Sequence, residues 1–257
     1  MGKNIAVITG GSSGLGREFA RILNHTSEIE EIWAIARHEN KLDLLKKELG
    51  KKIVAYSFDL SQKENLRLFQ QILEKHKYCI KYLINCAGFA KFGSFRDISI
   101  HTALNMIDLN CRATVAMTLI CLPYMKNESH IINISSSASF QPLPYLNIYS
   151  ATKAFIYHYS RALYMELKGT GITVTTVCPG WMDTPLIPKA KTGAKKEVWK
   201  FTGITSPHKV AKKALKDANR NKTMSIYGLY VKTIRLLTKI LPDKLAMKIW
   251  LRQQDFL

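Results

Sequence analysis

Six short apolar runs recur along the chain: Ile5 to Thr9, Ile32 to Ala36, Ile53 to Phe58, Tyr82 to Ile84, Ile131 to Ile134 and Ile172 to Val177. Runs this short and continuously apolar predict strands buried on both faces, and the segments between them are long enough for crossover helices. Such alternation predicts an α/β fold, a doubly wound parallel sheet with helices on both faces. Ligands of such sheets bind beyond the carboxyl ends of the strands. Ser206-Pro207 predicts a later helix start, with serine at the cap and proline at the first helical position.

After residue 228 the pattern changes. On a helical wheel Tyr230, Ile234, Leu237 and Leu241 share one side, and Lys232, Arg235 and Lys239 form a stripe opposite. Pro242 interrupts this segment, and Lys244, Lys248 and Arg252 then recur at i, i+4 and i+8, with Leu245, Ile249 and Trp250 elsewhere on the turn. No repeat, low-complexity tract or linker marks a second domain. Residues 1–228 therefore read as a single domain, and residues 229–257 as its basic amphipathic helical extension. Such an extension could lie on an anionic bilayer, cover a cleft or make a subunit contact.

Composition adds limits. At 257 residues and 47% hydrophobic, the chain can bury one large core. Cys79, Cys86, Cys111, Cys121 and Cys178 show no CxxC pair and no histidine at ligand spacing, so neither a disulfide framework nor a metal site is expected. The net charge is +19, and residues 185–257 hold 17 Lys or Arg against 4 acids. That block suits anionic lipid, nucleic acid or an acidic partner, or is simply a solvated surface. No recognition helix, aromatic stacking platform or zinc ligand supports nucleic-acid binding, which is not expected. The start, Met1-Gly2-Lys3-Asn4, has no leader pattern, and no stretch reaches the ~18 uninterrupted apolar residues of a span. The expectation is a cytoplasmic protein, with membrane contact limited to the periphery.

Directly after the first apolar run comes Thr9-Gly10-Gly11-Ser12-Ser13-Gly14-Leu15-Gly16, and a helical pattern follows. Glycines allow a tight turn and close approach of a diphosphate, and a helix N-terminus offers free N–H groups and a positive dipole end. The second run ends at Ala36-Arg37, where an NAD-type fold carries an acid for the ribose 2′-hydroxyl. A guanidinium pairs with a 2′-phosphate instead, so NADP(H) is expected over NAD(H).

Ser135-Ser136-Ser137 ends the fifth run, and Tyr149-Ser150-Ala151-Thr152-Lys153 opens a helical segment. Tyr149 and Lys153, at i and i+4, share a helix face, and an ammonium beside a phenol pulls its pKa down from ~10. A phenol so placed suits proton transfer to a carbonyl oxygen. The spacing alone is unspecific, because Tyr164 and Lys168 repeat it.

Together these motifs, in this order from residue 3 to about residue 220, strongly resemble the short-chain dehydrogenase/reductase family, in its subgroup of roughly 250 residues. The resemblance implies a Rossmann-type dinucleotide-binding and catalytic domain of about seven strands. It places TGxxxGxG on Thr9, Gly10, Gly14 and Gly16, the acid that meets the adenine ring on Asp59 before Leu60, and NNAG on Asn85-Cys86-Ala87-Gly88, with Cys86 in place of the second Asn. It places the helix Asn on Asn110 and the PG motif on Pro179-Gly180-Trp181-Met182-Asp183-Thr184, and its serine-to-tyrosine spacing selects Ser136. The implied cofactor site is Thr9, Gly10, Ser12, Ser13, Gly14, Leu15, Gly16, Arg37, Asp59, Leu60, Asn85, Ala87, Gly88, Tyr149, Lys153, Pro179, Gly180, Met182 and Thr184. The implied catalytic set is Asn110, Ser136, Tyr149 and Lys153: Tyr149 protonates a ketone oxygen that Ser136 also bonds, Lys153 holds the nicotinamide ribose, and Asn110 positions a relay water.

Apolar bulk near the expected nicotinamide position, Phe89, Phe92, Phe140, Tyr145, Trp181 and Leu186, suggests a small lipophilic substrate such as a hydroxysteroid, bile acid or acyl chain. An acyl-carrier-protein ketoreductase and a non-catalytic NADP(H)-sensing or interaction protein are the alternatives. Family members are commonly dimers or tetramers, so a homo-oligomer is expected.

Overall fold

The computed structural model describes residues 2–75, 78–193 and 198–257. Among these residues seven parallel strands form one sheet: β1 (Lys3–Thr9), β2 (Glu31–Ala36), β3 (Ile53–Ser57), β4 (Tyr78–Asn85), β5 (His130–Ile134), β6 (Thr173–Val177) and β7 (Met224–Ser225). Their spatial order is β3-β2-β1-β4-β5-β6-β7, so the winding reverses between β1 and β4. That reversal opens a crevice at the carboxyl ends, where Thr9, Asn85 and Asn133 lie level with one another.

The helices are α1 (Gly14–Asn24), α2 (Glu39–Leu49), α3 (Lys63–Glu74), α4 (Ile100–Ile107), α5 (Ala113–Cys121), α6 (Asn147–Glu166), α7 (Leu186–Lys191), α8 (Pro207–Ala218), α9 (Leu229–Leu237) and α10 (Asp243–Gln253). One face of the sheet buries Ile8, Ile32 and Ile132 against Phe19 and Leu23 of α1 and Val210 and Leu215 of α8. The other buries Val7, Leu83 and Ile131 against Phe69 of α3, Met117 of α5 and Leu163 of α6. Trp33 is fully buried there, its ring centroid 4.7 Å from Tyr78 and 5.0 Å from Tyr56.

Two departures from the sequence pattern have local causes. Strand β4 begins at Tyr78, four residues before the apolar run suggests, because Lys81 is skipped in the pairing with β1: Ile80 faces Ile5 and Tyr82 faces Ala6. The bulge takes the charged residue out of the ladder. Strand β7 has two residues, too short for any periodicity, and is held from its side chains: the buried Asp217 carboxylate accepts from Ser225 Oγ at 2.8 Å and from Lys213 Nζ at 2.6 Å. Ser206 and Pro207 begin α8 as the pattern predicts, although the Ser206 hydroxyl makes no capping bond.

The run Ile100–Tyr124 is long and apolar enough, by length and composition, to cross a membrane. Here it is a layer of the fold, with α5 against β4 and α3, and α4 against α6. Between α4 and α5 the helix widens into one π turn, Asp108–Arg112, centred on Asn110. A third apolar cluster lies beyond the strand ends, where Phe92, Leu143, Leu146 and Tyr149 meet Trp250 of α10.

Candidate active site

The glycine turn is built by close approach. A Cβ on Gly16 would lie 2.3 Å from the Gly10 carbonyl oxygen, so no other residue permits the first turn of α1 to rise directly from β1. Ser13 precedes α1 with extended backbone and no side-chain capping bond, and the first turn holds no acid. The free N–H groups of α1 therefore open on the crevice, where Gly10, Ser13, Gly14 and Leu15 line a cavity of about 430 Å³. An uncapped helix end beside a tight glycine turn fits a diphosphate. Ser12 and Gly16 shape the turn without lining the cavity, and Thr9 stitches it: its hydroxyl accepts from the N–H groups of Cys86 and Ala87, each at 3.0 Å.

Arg37 lines one end of this cavity, with its Nη1 3.7 Å from Asp59 Oδ2. Asp59 also accepts from Ser61 N and Oγ, and Leu60 is buried in the core; neither lines the cavity. Lys189, on α7, comes to the same end. Burial and the nearby charges of Lys41 and Arg37 lower its pKa below the ordinary lysine value. The cationic end thus joins the connection after β2 to α7.

Ala87, Gly88 and Phe89 continue the wall. Asn85 sits behind it, where its Nδ2 donates to Asn133 Oδ1 at 2.9 Å and Thr118 Oγ1 at 3.1 Å. Asn110 is also behind the wall, and its side chain is bonded on every side: Nδ2 donates to Phe89 O and Thr152 Oγ1, and Oδ1 accepts from Phe89 N, all at 3.0 Å. It ties the Gly88-Phe89 loop to α6 beside Lys153.

The three serines after β5 make different contacts. Ser135 Oγ donates to the Lys153 carbonyl at 2.7 Å, and Ser137 N donates to Pro179 O at 2.8 Å. The Ser136 side chain stands near enough to the Tyr149 hydroxyl to lower its pKa, and its Oγ accepts from Ala138 N at 3.1 Å. Lys153 lies one helical turn on, buried, with Nζ donating to Ile134 O at 2.8 Å and 5.6 Å from the Tyr149 ring centroid.

Electrostatics here run opposite to the sequence expectation for the phenol. Burial pushes Tyr149 up to about 12, more than the nearby Ser136 side chain pulls it down. Burial also lowers Lys153 below its ordinary value, because removing an ammonium from water disfavours its charge. Desolvation outweighs the attraction expected from proximity, and Tyr149 stands as a protonated donor. The neighbouring thiols are likewise held neutral by burial, Cys86 and Cys178 each pushed up to about 12.

Pro179, Gly180, Trp181, Met182, Thr184 and Leu186 form the far wall. Phe92, Phe140 and Tyr145 do not line the cavity: Phe92 packs under Trp181 and Phe201, Phe140 meets Tyr157, and Tyr145 meets Phe256 at 4.4 Å. The bulk facing the cavity comes instead from the C-terminal helices, through Tyr230, Ile234, Leu237, Leu241, Ile249 and Trp250. Gly180 permits this approach, since a Cβ there would lie 2.8 Å from Val231 Cγ2. The apolar stripe was visible in the sequence; what it would face was not.

The end of the chain is clasped in place. Gln254 Oε1 accepts from Trp199 N (3.0 Å) and Lys200 N (3.1 Å), its Nε2 donates to Lys200 O (3.0 Å), and Trp250 Nε1 donates to Pro144 O at 3.0 Å.

Residues 4–195 match the family model described as short chain dehydrogenase. An uncharacterized oxidoreductase of Staphylococcus epidermidis is 31% identical over 198 residues, covering 76% of this chain and 85% of that protein. The ketoacyl reductase HetN of Nostoc sp. is 30% identical over 246 residues, covering 93% of this chain and 83% of its own. Among solved structures, a short-chain dehydrogenase from Sphingobium yanoikuyae in complex with NADPH superposes with a TM-score of 0.78 at 26% identity, covering 93% of this chain and 96% of that one. The sheet order, the glycine turn and these matches agree, and the chain belongs to the short-chain dehydrogenase family of oxidoreductases, which bind a nicotinamide cofactor.

Proposed function

We propose that the protein is an NADP(H)-dependent oxidoreductase that interconverts a ketone and a secondary alcohol on a lipophilic substrate. The observation that carries this reading is Tyr149, with Ser136 and Lys153, on one cavity that has Arg37 and Lys189 at one end and the apolar side of the C-terminal helices over the reacting groups. NADPH bound along the crevice would supply the hydride to the carbonyl carbon. Gly10, Ser13, Gly14 and Leu15 would hold its diphosphate on the turn that Ser12 and Gly16 shape, with Asp59, beside Arg37 and next to the buried Leu60, towards the adenine. Ala87, Gly88, Pro179, Gly180, Met182, Thr184 and Lys153 would hold the nicotinamide half.

Tyr149, kept protonated by burial, donates its proton to the carbonyl oxygen, and Ser136 holds that oxygen with a second hydrogen bond. Lys153, buried behind Tyr149 and anchored on Ile134 O, orients the ribose and favours the developing phenolate. Asn110 positions the loop and helix that carry these groups, through its bonds to Phe89 and Thr152. The helices after residue 228 act as the lid of the same domain, because their apolar side closes the cavity. A panel of steroids, bile acids, acyl thioesters and small water-soluble ketones, run with NADPH and NADH in parallel, tests the reading. Preference for the small polar ketones would overturn the lipophilic assignment.

The similarity to HetN along 93% of the chain favours a second reading, reduction of a ketoacyl group. Higher kcat/KM for acyl thioesters than for steroids would select it.

Arg37 supports NADP(H), since its guanidinium lines the cavity and Lys189 adds a second cation there. Arg37→Asp is expected to weaken NADPH binding by about 10- to 100-fold, the size of a charge-assisted hydrogen bond lost, while NADH binding holds or improves. Fluorescence titration of both cofactors checks this, and an unchanged ratio of dissociation constants would remove Arg37 from the 2′-phosphate site. Exposed apolar residues on α4 to α6, including Ile100, Leu104, Leu119 and Phe155, support a dimer or tetramer, to be measured by light scattering.

A further inference from the structure

Tyr230, Leu237 and Ile249 line the cavity, yet they remain 42%, 48% and 40% exposed, so they form its rim. Outward from the rim α9 and the connection to α10 show large apolar side chains to solvent: Leu229 (80% exposed), Leu236 (61%) and Ile240 (74%). Exposed Lys232, Lys239, Lys244, Lys248 and Arg252 stand among them. Between residues 229 and 252 there are six cations and one acid, Asp243. A soluble surface rarely combines exposed aliphatic bulk with unbalanced positive charge, because water favours only the second.

We propose that α9, α10 and their connection dock the protein on an anionic lipid bilayer, with the mouth of the cavity facing the membrane. The interface between headgroups and acyl chains accommodates both kinds of residue: Leu229, Leu236 and Ile240 enter the acyl boundary, and the lysines reach back to the headgroup phosphates. Charge selects lipid over a second copy of this chain, since two such surfaces face to face would bring like charges together. It selects lipid over nucleic acid because a phosphate backbone leaves the aliphatic side chains uncovered. A substrate dissolved in the membrane would then pass the rim at Tyr230, Leu237 and Ile249 without crossing water. The docking rests on the lipophilic reading of the cavity only for this last step. Vesicle binding is measured without turnover, so its failure leaves the oxidoreductase assignment intact.

The test is flotation of the full-length protein with phosphatidylcholine vesicles and with vesicles that also contain phosphatidylglycerol, at low and high salt. The expected result is binding to the phosphatidylglycerol vesicles at low salt, at least about tenfold weaker binding to the neutral ones, and release by salt. Leu236→Asp combined with Ile240→Asp, both outside the cavity, is expected to reduce flotation about tenfold or more, with NADPH affinity unchanged. Failure of the wild-type protein to float on anionic vesicles at low salt overturns the proposal. So does a double variant that floats like the wild type, or a wild-type protein that ignores vesicles and self-associates in a manner the double variant abolishes.

Discussion

Replacing Tyr149 with phenylalanine is expected to leave the protein folded and able to bind NADPH while turnover falls by about 10²- to 10⁴-fold, the usual worth of a positioned proton donor. The ring stays, so the place of Tyr149 in the third apolar cluster, which also holds Leu143, Leu146 and Trp250, survives. Only the hydroxyl is lost, and with it the proton it would donate. The measurement is kcat with the best substrate of the ketone panel, paired with a titration of NADPH binding, and retention of substantial activity would remove Tyr149 from the chemistry. The same variant reports on pH. Burial raises the Tyr149 pKa from 10.0 to about 12, so its contribution to stability is complete below the ordinary tyrosine pKa and is lost as pH climbs towards 12. Wild type should therefore lose stability relative to Tyr149→Phe above roughly pH 10, and not in the neutral range.

Trp250→Ala carries the second large effect. The indole is buried at the junction of α10 with the third cluster and lines the cavity, and its Nε1 bonds Pro144 O. Removing a buried tryptophan costs about 3–5 kcal/mol, a large share of the roughly 5–15 kcal/mol that holds a domain together. Urea unfolding is expected to show that loss. KM for a lipophilic substrate should rise more than kcat changes, because the lid loosens while Ser136, Tyr149 and Lys153 keep their places. A cost under about 1 kcal/mol, within the range of a surface substitution, would mean that α10 is not seated on the cavity.

Much of this arrangement was legible before any tertiary structure. Strands buried on both faces leave continuous apolar runs, so β1, β2, β3 and β5 read directly, whereas Lys81 hid the first half of β4 and β7 is too short to have a period. The glycine turn read well because only glycine fits where a Cβ on Gly16 would meet the Gly10 carbonyl. Motif spacing pointed to Ser136, Tyr149 and Lys153, with Ser135 and Ser137 one residue to either side of the serine it selected. The structure sets Ser135 apart, because its hydroxyl turns to the backbone of α6, whereas Ser136 is near enough to the Tyr149 hydroxyl to lower its pKa.

The substrate side was read least well. Phe92, Phe140 and Tyr145 have the apolar character of pocket residues, but a ring in a loop packs on whichever neighbour the fold supplies, here Trp181, Tyr157 and Phe256. The sign of the Tyr149 shift was also out of reach, because burial is a property of all the elements around the phenol and not of its spacing to Lys153. By itself the sequence determined the doubly wound sheet, the glycine turn and the tyrosine-lysine helix face, since each is written in local periodicity or in the steric needs of single residues. Only the tertiary structure decided that the basic C-terminal helices turn one apolar side onto the cavity, seat Trp250 in the apolar cluster that holds Tyr149 and leave a second apolar edge in water. Those are contacts between segments about a hundred residues apart, which no local pattern encodes.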